Sequence, residues 1–247
     1  MLASNLVEAR SCVERAVPKA RGDQGVPKAR GDETAQKERD GLTLEDRLTQ
    51  ATERRLEAKE HVFREGDARA NVYRVESGII AIYKTLFDGR RRIIDFAHPG
   101  DFIGLGVLGE YIMSAQATCS ARVRCLSASA LEKLAETDAA LALKLYKSVC
   151  QDLVAARSLL VTVGQRSAIE RMAAFLLALH RRSGEGSNDV VKLGMRRSDI
   201  ADLLGLTIET VSRTLTKLRE MGVIEVELGG TTIILRDVPR LADLANE

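Results

Sequence analysis

The pattern of apolar and polar residues changes character several times along the chain, first near residue 50. Residues 1 to about 50 hold few large apolar side chains, and they repeat the segment Val-Pro-Lys-Ala-Arg-Gly-Asp at residues 17–23 and 26–32. Such a charged segment buries too little apolar surface to offset the entropy lost on ordering. We therefore predict a mobile extension over residues 1–50. Leucines on one side of the stretch from Gly41 to Ala58 predict a helix there.

Short β-rich runs alternate with turn signals from Glu60 to about Ser129. The turn signals contain glycine next to an acidic residue, serine or proline and recur about every ten residues. Asp88-Gly89 lies between two of the runs and favours a tight hairpin. This punctuation indicates an all-β sandwich or a barrel-like roll. The predicted strands are Val72–Val75, Ile79–Tyr83, Arg92–Phe96 and Gln116–Leu126.

A long helical stretch follows the β-rich region. Seven apolar residues are spaced alternately four and three residues apart, which is the heptad spacing of a coiled-coil seam. The seam predicts dimerisation, and the alternative is a helix buried on one side within its own domain. A second row (Leu141, Leu145 and Leu159) lies on another face and can pack against the β-roll. The seam residues are Ala142, Tyr146, Val149, Leu153, Ala156, Leu160 and Val163.

The segment after a further amphipathic helix, Ala168–Arg182, has the spacing of a helix-turn-helix. Ser198 is predicted to cap a short helix that ends near Leu204, and Gly205-Leu206 supplies the turn. Thr207 is predicted to cap a second helix that continues to about Glu220. Four apolar residues of this second helix form the predicted buried stripe: Ile208, Val211, Leu215 and Leu218.

The opposite face of the second helix carries side chains suited to the major groove of DNA. Arg213 can donate two hydrogen bonds to guanine, Glu209 can accept one from a cytosine amino group, and Ser212 can contact a neighbouring base. The alternative for Glu209 and Arg213 is an ion pair within the helix. The candidate contacts to the DNA backbone, each of which could instead be a solubilising surface residue, are Arg166, Arg171, Arg196, Arg197, Ser198, Thr207, Thr216 and Lys217.

Together these patterns predict an α+β protein with a sensor-type β-roll, of the double-stranded jelly-roll kind, and a winged helix-turn-helix. The predicted divisions are the extension over 1–50, the β-roll over 51–138, the dimerisation helix over 139–165 and the DNA-binding domain over 166–247. The wing consists of two predicted strands around Gly229-Gly230.

The composition excludes several classes of protein but does not identify a binding partner. The formal net charge is only +2, so the case for DNA rests on where the charges lie. No run of 18 apolar residues and no secretory signal is present, and four cysteines are far apart, which predicts a cytoplasmic protein without a membrane span. The β-roll has no histidine pair with metal spacing, no nucleophile elbow and no phosphate-binding glycine loop, so we do not expect an enzyme.

From about Glu60 to Asp237 the chain resembles the CRP/FNR superfamily of bacterial regulators. Its second helix resembles the FNR and FixK branch, whose Glu-x-x-Ser-Arg motif falls here on Glu209, Ser212 and Arg213. The resemblance implies a homodimer that binds a double-stranded operator of the form TTGA, about six base pairs, then TCAA. It also implies an activator that works with RNA polymerase on microaerobic, anaerobic or nitrogen-fixation genes.

The resemblance also bears on the signal that controls the protein. Cyclic-nucleotide binders of the family follow a Gly-Glu pair with an arginine, but here Gly109-Glu110 is followed by no arginine in Tyr111–Ala121. Iron–sulfur sensors need several N-terminal cysteines, and only Cys12 lies there, although Cys125 is near the expected β-roll position. We therefore expect a FixK-like regulator without a metal or cofactor, and the alternative is a redox- or ligand-gated FNR-type sensor. Haem ligation has no better support from the lone histidines His61, His98 and His180.

Overall fold

The structure, a computed structural model, describes residues 50–165, 167–182, 189–227 and 229–245. The predicted N-terminal extension and Arg166 lie outside these ranges. Residues 50–247 form a unit distinct from residues 1–49.

Two four-stranded antiparallel sheets form the predicted β-roll. One sheet has the strand order β1-β8-β3-β6 and the other has the order β2-β7-β4-β5. Alternate apolar side chains of both sheets, such as those of Val75, Ile80 and Val123, are fully buried in the core between them. The strands are β1 (Thr52–Leu56), β2 (His61–Phe63), β3 (Asn71–Ser77), β4 (Ile80–Thr85), β5 (Arg91–Ala97), β6 (Phe102–Ile103), β7 (Ser114–Ala117) and β8 (Ala121–Ser127).

The N-terminal strand of the β-roll corrects the helix predicted up to Ala58. Thr52–Leu56 is extended and pairs along its whole length with β8, which places Leu56 opposite Ala121 in the core. Long-range pairing overrides the local leucine pattern here. The single run predicted over Gln116–Leu126 is likewise two strands, because the chain turns between Ala117 and Ala121 to pass from one sheet to the other.

The hairpin predicted at Asp88-Gly89 is confirmed. Strands β4 and β5 pair antiparallel, and the Leu86 N–H donates to the Arg90 carbonyl at 2.8 Å to close the turn. Gly89 has φ +79°, a conformation that favours glycine.

Three helices connect the β-roll to the C-terminal half: α1 (Ala128–Thr137), α2 (Ala139–Gln165) and α3 (Ala168–Arg182). On one face of α2, Leu141 is buried and Leu159 packs against a core cluster, in agreement with the predicted second apolar row. None of the described helices is both long enough and apolar enough to cross a membrane.

The C-terminal half is a winged helix-turn-helix, as predicted. Strands β10 and β11 form the wing hairpin, and β9 extends their sheet in the order β10-β11-β9. Its elements are β9 (Val190–Lys192), α4 (Arg197–Leu204), α5 (Ile208–Glu220), β10 (Ile224–Val226), β11 (Thr232–Leu235) and α6 (Val238–Ala245).

The prediction that Ser198 caps the first helix of the motif is wrong. The helix begins two residues earlier, with Arg196 at the cap position and Ser198 inside the first turn. Asp199 completes the start of the helix, because its carboxylate accepts the Arg196 backbone N–H at 3.0 Å.

One apolar cluster joins the β-roll to the C-terminal half. Tyr83 of β4 and Phe96 of the edge strand β5 belong to the same buried cluster as Phe175 of α3 and Leu204 of α4. The two halves therefore share part of their hydrophobic core.

Gly78 provides a test of how tightly the β-roll packs. A Cβ there would lie 2.6 Å from the Ser120 carbonyl oxygen, whereas a Cβ on Gly66 would meet nothing within 4 Å. Both residues have a positive φ, so alanine carries a similar backbone cost at each. We expect Gly78→Ala to lower the free energy of unfolding by about 2 kcal/mol more than Gly66→Ala, measured by urea denaturation. Equal losses for the two variants would contradict the close approach.

Candidate nucleic-acid interface

Helix α5 has one face in the core and one face in solvent. The predicted cap is confirmed, since the Thr207 Oγ1 accepts the Thr210 backbone N–H at 3.2 Å. The predicted buried stripe is correct for Val211, Leu215 and Leu218 but wrong for Ile208, which is 45% exposed. Ile208 precedes the point where the helix reaches the core, and Thr214 is buried instead.

The solvent face of α5 presents the three predicted base-reading residues. Glu209 and Arg213 are exposed and Ser212 is half-buried. Hydrogen bonds from the Glu209 backbone N–H and from the Thr207 hydroxyl lower the pKa of the Glu209 carboxyl, with a further contribution from the Arg213 charge. Although both side chains are described, they form no ion pair with each other, so the predicted alternative of an intrahelical salt bridge is not observed.

Arg197 joins the three parts of the motif. Its Nη1 donates to the Ser212 Oγ at 3.2 Å, and its Nη2 lies 3.2 Å from where a Cβ on Gly230 would be. Arg197 thus links α4, the reading face of α5 and the wing. The sequence predicts Arg197 as a contact to the DNA backbone or as a solubilising surface residue. It gives no sign of the contact with Ser212, because the two residues are 15 positions apart and lie on different helices.

The other predicted backbone contacts fall into different environments. Arg196 and Lys217 are exposed beside the reading face, as is Thr216, whose hydroxyl donates to the Ser212 carbonyl at 3.1 Å. Arg171 is half-buried, and its Nη1 donates to the Leu204 carbonyl at 2.9 Å at the end of α4. This hydrogen bond holds α3 against α4.

The predicted seam forms an apolar row on α2. Tyr146 is 66% exposed and Leu160 is 76% exposed, which is unusual for large apolar side chains. Ala142 is half-buried, and the side chain of Val163 lies outside the described residues. The other exposed seam residues are Val149, Leu153 and Ala156.

A cavity of about 780 Å³ lies between the β-roll, α2 and α3. Glu110 lies in the wall of this cavity, and Arg69 is an arginine of the same wall. The Arg69 Nε donates to the Leu108 carbonyl at 2.9 Å, and its Nη2 pairs with Glu132 at 2.9 Å. Arg69 thus already has a carbonyl and a carboxylate as partners.

Carboxylates and a histidine meet where the β-roll, α2 and α3 converge. The His98 backbone N–H donates to Asp101 at 2.9 Å, and Asp101 forms an ion pair with Arg182 of α3. Burial raises the pKa of Asp95 to about 6 and lowers the pKa of His98 to about 4. Burial, followed by repulsion from Asp101, also raises the pKa of Asp152 on α2.

The described residues contain no group of three His, Cys, Asp or Glu side chains placed to hold a metal. Cys119, Cys125 and Cys150 are free thiols. Cys12 lies outside the described residues, so the absence of an iron–sulfur cluster stays a prediction.

Comparisons with known proteins agree with the division of the chain into two folds. A model of the cyclic nucleotide-binding domain matches residues 53–138, and a model of the Crp-like helix-turn-helix domain matches residues 170–244. The nitrogen fixation regulation protein FixK of Bradyrhizobium diazoefficiens is 41% identical over 188 residues, which cover 75% of this chain and 78% of that protein.

Two further relatives are each 38% identical to this chain. The transcriptional activatory protein AadR of Rhodopseudomonas palustris is 38% identical over 178 residues, which cover 71% of this chain and 74% of that protein. The solved structure of FixK2 from Bradyrhizobium japonicum superposes with a TM-score of 0.73 at 38% identity, and the match covers 78% of this chain and 96% of that one.

The opposed pKa values of Asp95 and His98 predict a specific pH dependence. The folded chain keeps a proton on Asp95 and not on His98 between about pH 4 and 6, and the unfolded chain does the reverse. The two effects on stability therefore oppose each other in the wild type. In Asp95→Asn only His98 remains, and stability should rise as the pH rises from about 4 to 6.5. In His98→Gln only Asp95 remains, and stability should fall as the pH rises from about 4 to 6.

Urea denaturation at several pH values measures the free energy of unfolding as a function of pH. For each variant the slope of this dependence should differ from that of the wild type by at most about 1.4 kcal/mol per pH unit. Wild-type chain at the same pH values is the reference. If the free energy of unfolding of both variants depends on pH as it does in the wild type, Asp95 and His98 do not have these opposed pKa shifts.

Proposed function

We propose, from the premise that this chain belongs to the CRP/FNR family of transcription regulators and to its FixK-like branch, that it is a homodimer reading a palindrome of the form TTGA-N6-TCAA. The observation that carries the proposal is the solvent face of α5. It presents Glu209, Ser212 and Arg213 together on a capped helix whose opposite face is anchored in the core.

The chemistry of this face suits one G·C pair of each half-site. Arg213 donates two hydrogen bonds to guanine O6 and N7, and Glu209 accepts one from the amino group of the paired cytosine. Glu209 is ionised at neutral pH, as any exposed carboxyl is, and the ionised carboxylate is an acceptor only. Ser212, held by Arg197, contacts the neighbouring base.

Side chains around this face hold the DNA backbone. Arg196 and Lys217 supply charge, and Ser198, Thr207 and Thr216 supply hydroxyl groups, from positions beside the reading residues. Arg197 reaches a phosphate from its place between Ser212 and the wing. Arg171 contributes indirectly, because its guanidinium supports the end of α4.

The dimer forms along the exposed apolar row of α2. Packing two copies of this row side by side removes Tyr146, Val149, Leu153 and Leu160 from water, which favours association. A parallel pair places the two α5 helices at the same end of the dimer. Two half-sites about one helical turn apart, roughly 34 Å, require this arrangement.

The names of the relatives suggest the physiological role. We infer that the protein is a cytoplasmic activator that contacts RNA polymerase at genes for microaerobic or anaerobic metabolism or nitrogen fixation, and that it binds DNA without a cofactor. The cavity beside α2 is the observation that favours the alternative, a ligand-gated sensor. Binding by purified protein without any added small molecule separates the two.

Arg213→Ala tests the base-reading assignment. Losing a bidentate contact to guanine should weaken binding to the palindrome by about 1–3 kcal/mol, or roughly 5- to 150-fold, measured by fluorescence anisotropy. Arg219→Ala removes an exposed arginine from the last turn of the same helix and is the matched control. Exchanging the G·C pair should weaken wild-type binding strongly and Arg213→Ala binding little. If the variant still discriminates against the exchanged site as the wild type does, Arg213 does not read that pair.

Leu153→Asp tests the seam. Two buried carboxylates facing each other should shift the dimer to monomer, with a dissociation constant raised by about 100-fold or more, measured by sedimentation velocity. Val154→Asp places the same charge on the adjacent exposed position outside the seam and should remain dimeric. A dimeric Leu153→Asp, or equal dissociation of both variants, would rule out this seam.

A further inference from the structure

The β-roll holds the DNA-binding half by the scaffold helix α4. Arg91 of β5 donates to Asp199 at 2.5 Å and to Asp202 at 3.0 Å, both on α4. The same guanidinium donates to Gln116 of β7 at 2.9 Å and lies 5.4 Å from the centre of the Tyr83 ring. Arg91 therefore has a fixed direction on the β-roll as well as two partners on α4.

This ion pair is shielded from water. Asp199 is only 6% exposed, and the Arg91 side chain is 27% exposed. A buried charge-assisted pair with several partners is more rigid and more costly to break than a surface pair. By contrast, the neighbouring Arg90 pairs with Asp88 within its own exposed hairpin, and among the described residues it has no hydrogen bond or ion pair with the DNA-binding half.

Further contacts join the β-roll to the C-terminal half. The Thr118 hydroxyl donates to the Gly194 carbonyl at 2.6 Å, and a Cβ on Gly194 would lie 2.6 Å from the Ile79 Cδ1. Arg92 lies against the turn of the motif, where a Cβ on Gly205 would be 2.8 Å from its Nη1. Arg182 pairs with Asp101 from the opposite direction.

Holding α4 also holds the reading helix. Leu204 of α4 belongs to the same buried cluster as Val211 and Leu215 of α5, so the two helices move together. On the polar face of α5, Glu209, Arg213 and Lys217 are exposed.

We propose that Arg91, with Asp199 and Asp202, is a positioning group that fixes the direction of each reading helix relative to the β-roll and thereby makes the dimer select the spacing between half-sites. This inference rests on the proposed function. Adding or removing one base pair moves a half-site by about 3.4 Å along the DNA and rotates it by about 35°. Two rigidly held reading helices cannot follow that change, whereas loosely held ones can.

The test compares binding to three duplexes, TTGA-N5-TCAA, TTGA-N6-TCAA and TTGA-N7-TCAA, by fluorescence anisotropy at one salt concentration. Wild type should prefer N6 over N5 and N7. Arg91→Gln should reduce that preference by about tenfold or more, while the discrimination against an exchanged G·C pair stays as in wild type. Arg90→Gln removes the same charge from the next residue and should keep the wild-type preference.

The remaining outcomes separate a failure of the proposed function from a failure of the positioning role of Arg91. If wild type does not bind the N6 palindrome, the proposed function fails. If wild type binds N6 but Arg91→Gln keeps the full spacing preference, or weakens all duplexes equally, Arg91 is only structural and the inference is overturned. A wild type that binds all three spacings equally overturns it as well.

Asp202→Asn keeps the test decisive if Arg91→Gln fails to fold. Asp202 is the more exposed of the two partners, and its replacement leaves the pair with Asp199 in place. It should relax the spacing preference in the same direction but less. An unchanged preference in a folded Asp202→Asn would then count against the positioning role.

Discussion

The arrangement of this protein depends on the apolar cluster that the β-roll shares with the winged helix-turn-helix. Tyr83 and Phe96 of the β-roll and Phe175 and Leu204 of the helices are buried in one continuous core. Hydrophobic burial is not directional, so this core alone holds the two halves together without fixing an angle. The directional contacts at its edge, above all the Arg91 pair with α4, fix the angle.

Helix α5 shows how a core and a recognition surface share one element. Val211, Leu215 and Leu218 anchor the helix, and the same 3.6-residue period places Glu209 and Arg213 in solvent. The charges needed for DNA are local, since the whole chain has a net charge of only +2. Recognition thus depends on the placement of a few side chains.

The junction of the β-roll with α2 and α3 has a different chemistry. Asp95 and His98 are both too buried to hold charge comfortably, so the folded chain neutralises each of them near pH 5. Arg182 and Asp101 remain an ion pair beside them. At this junction the effects of pH on the stability of the folded chain therefore oppose each other, because the pKa of Asp95 is raised and the pKa of His98 is lowered.

The sequence by itself determined the features whose signals lie within a few residues. The cap at Thr207, the turn at Asp88-Gly89 and the two faces of α5 all follow from neighbouring residues, and the resemblance in the reading helix identified the family. The cap predicted at Ser198 lies two residues earlier, at Arg196, and Ile208 was predicted to be buried but is exposed, because helix ends depend on where the core begins. Strand Thr52–Leu56 was predicted as a helix, because only its partner β8 makes it extended.

Only the tertiary structure decided how the two halves are held. Arg91 and Asp199 are 108 residues apart, and Arg197 and Ser212 are separated by 15. No periodicity or motif joins residues at such separations, because their contacts exist only after the sheets and helices have packed.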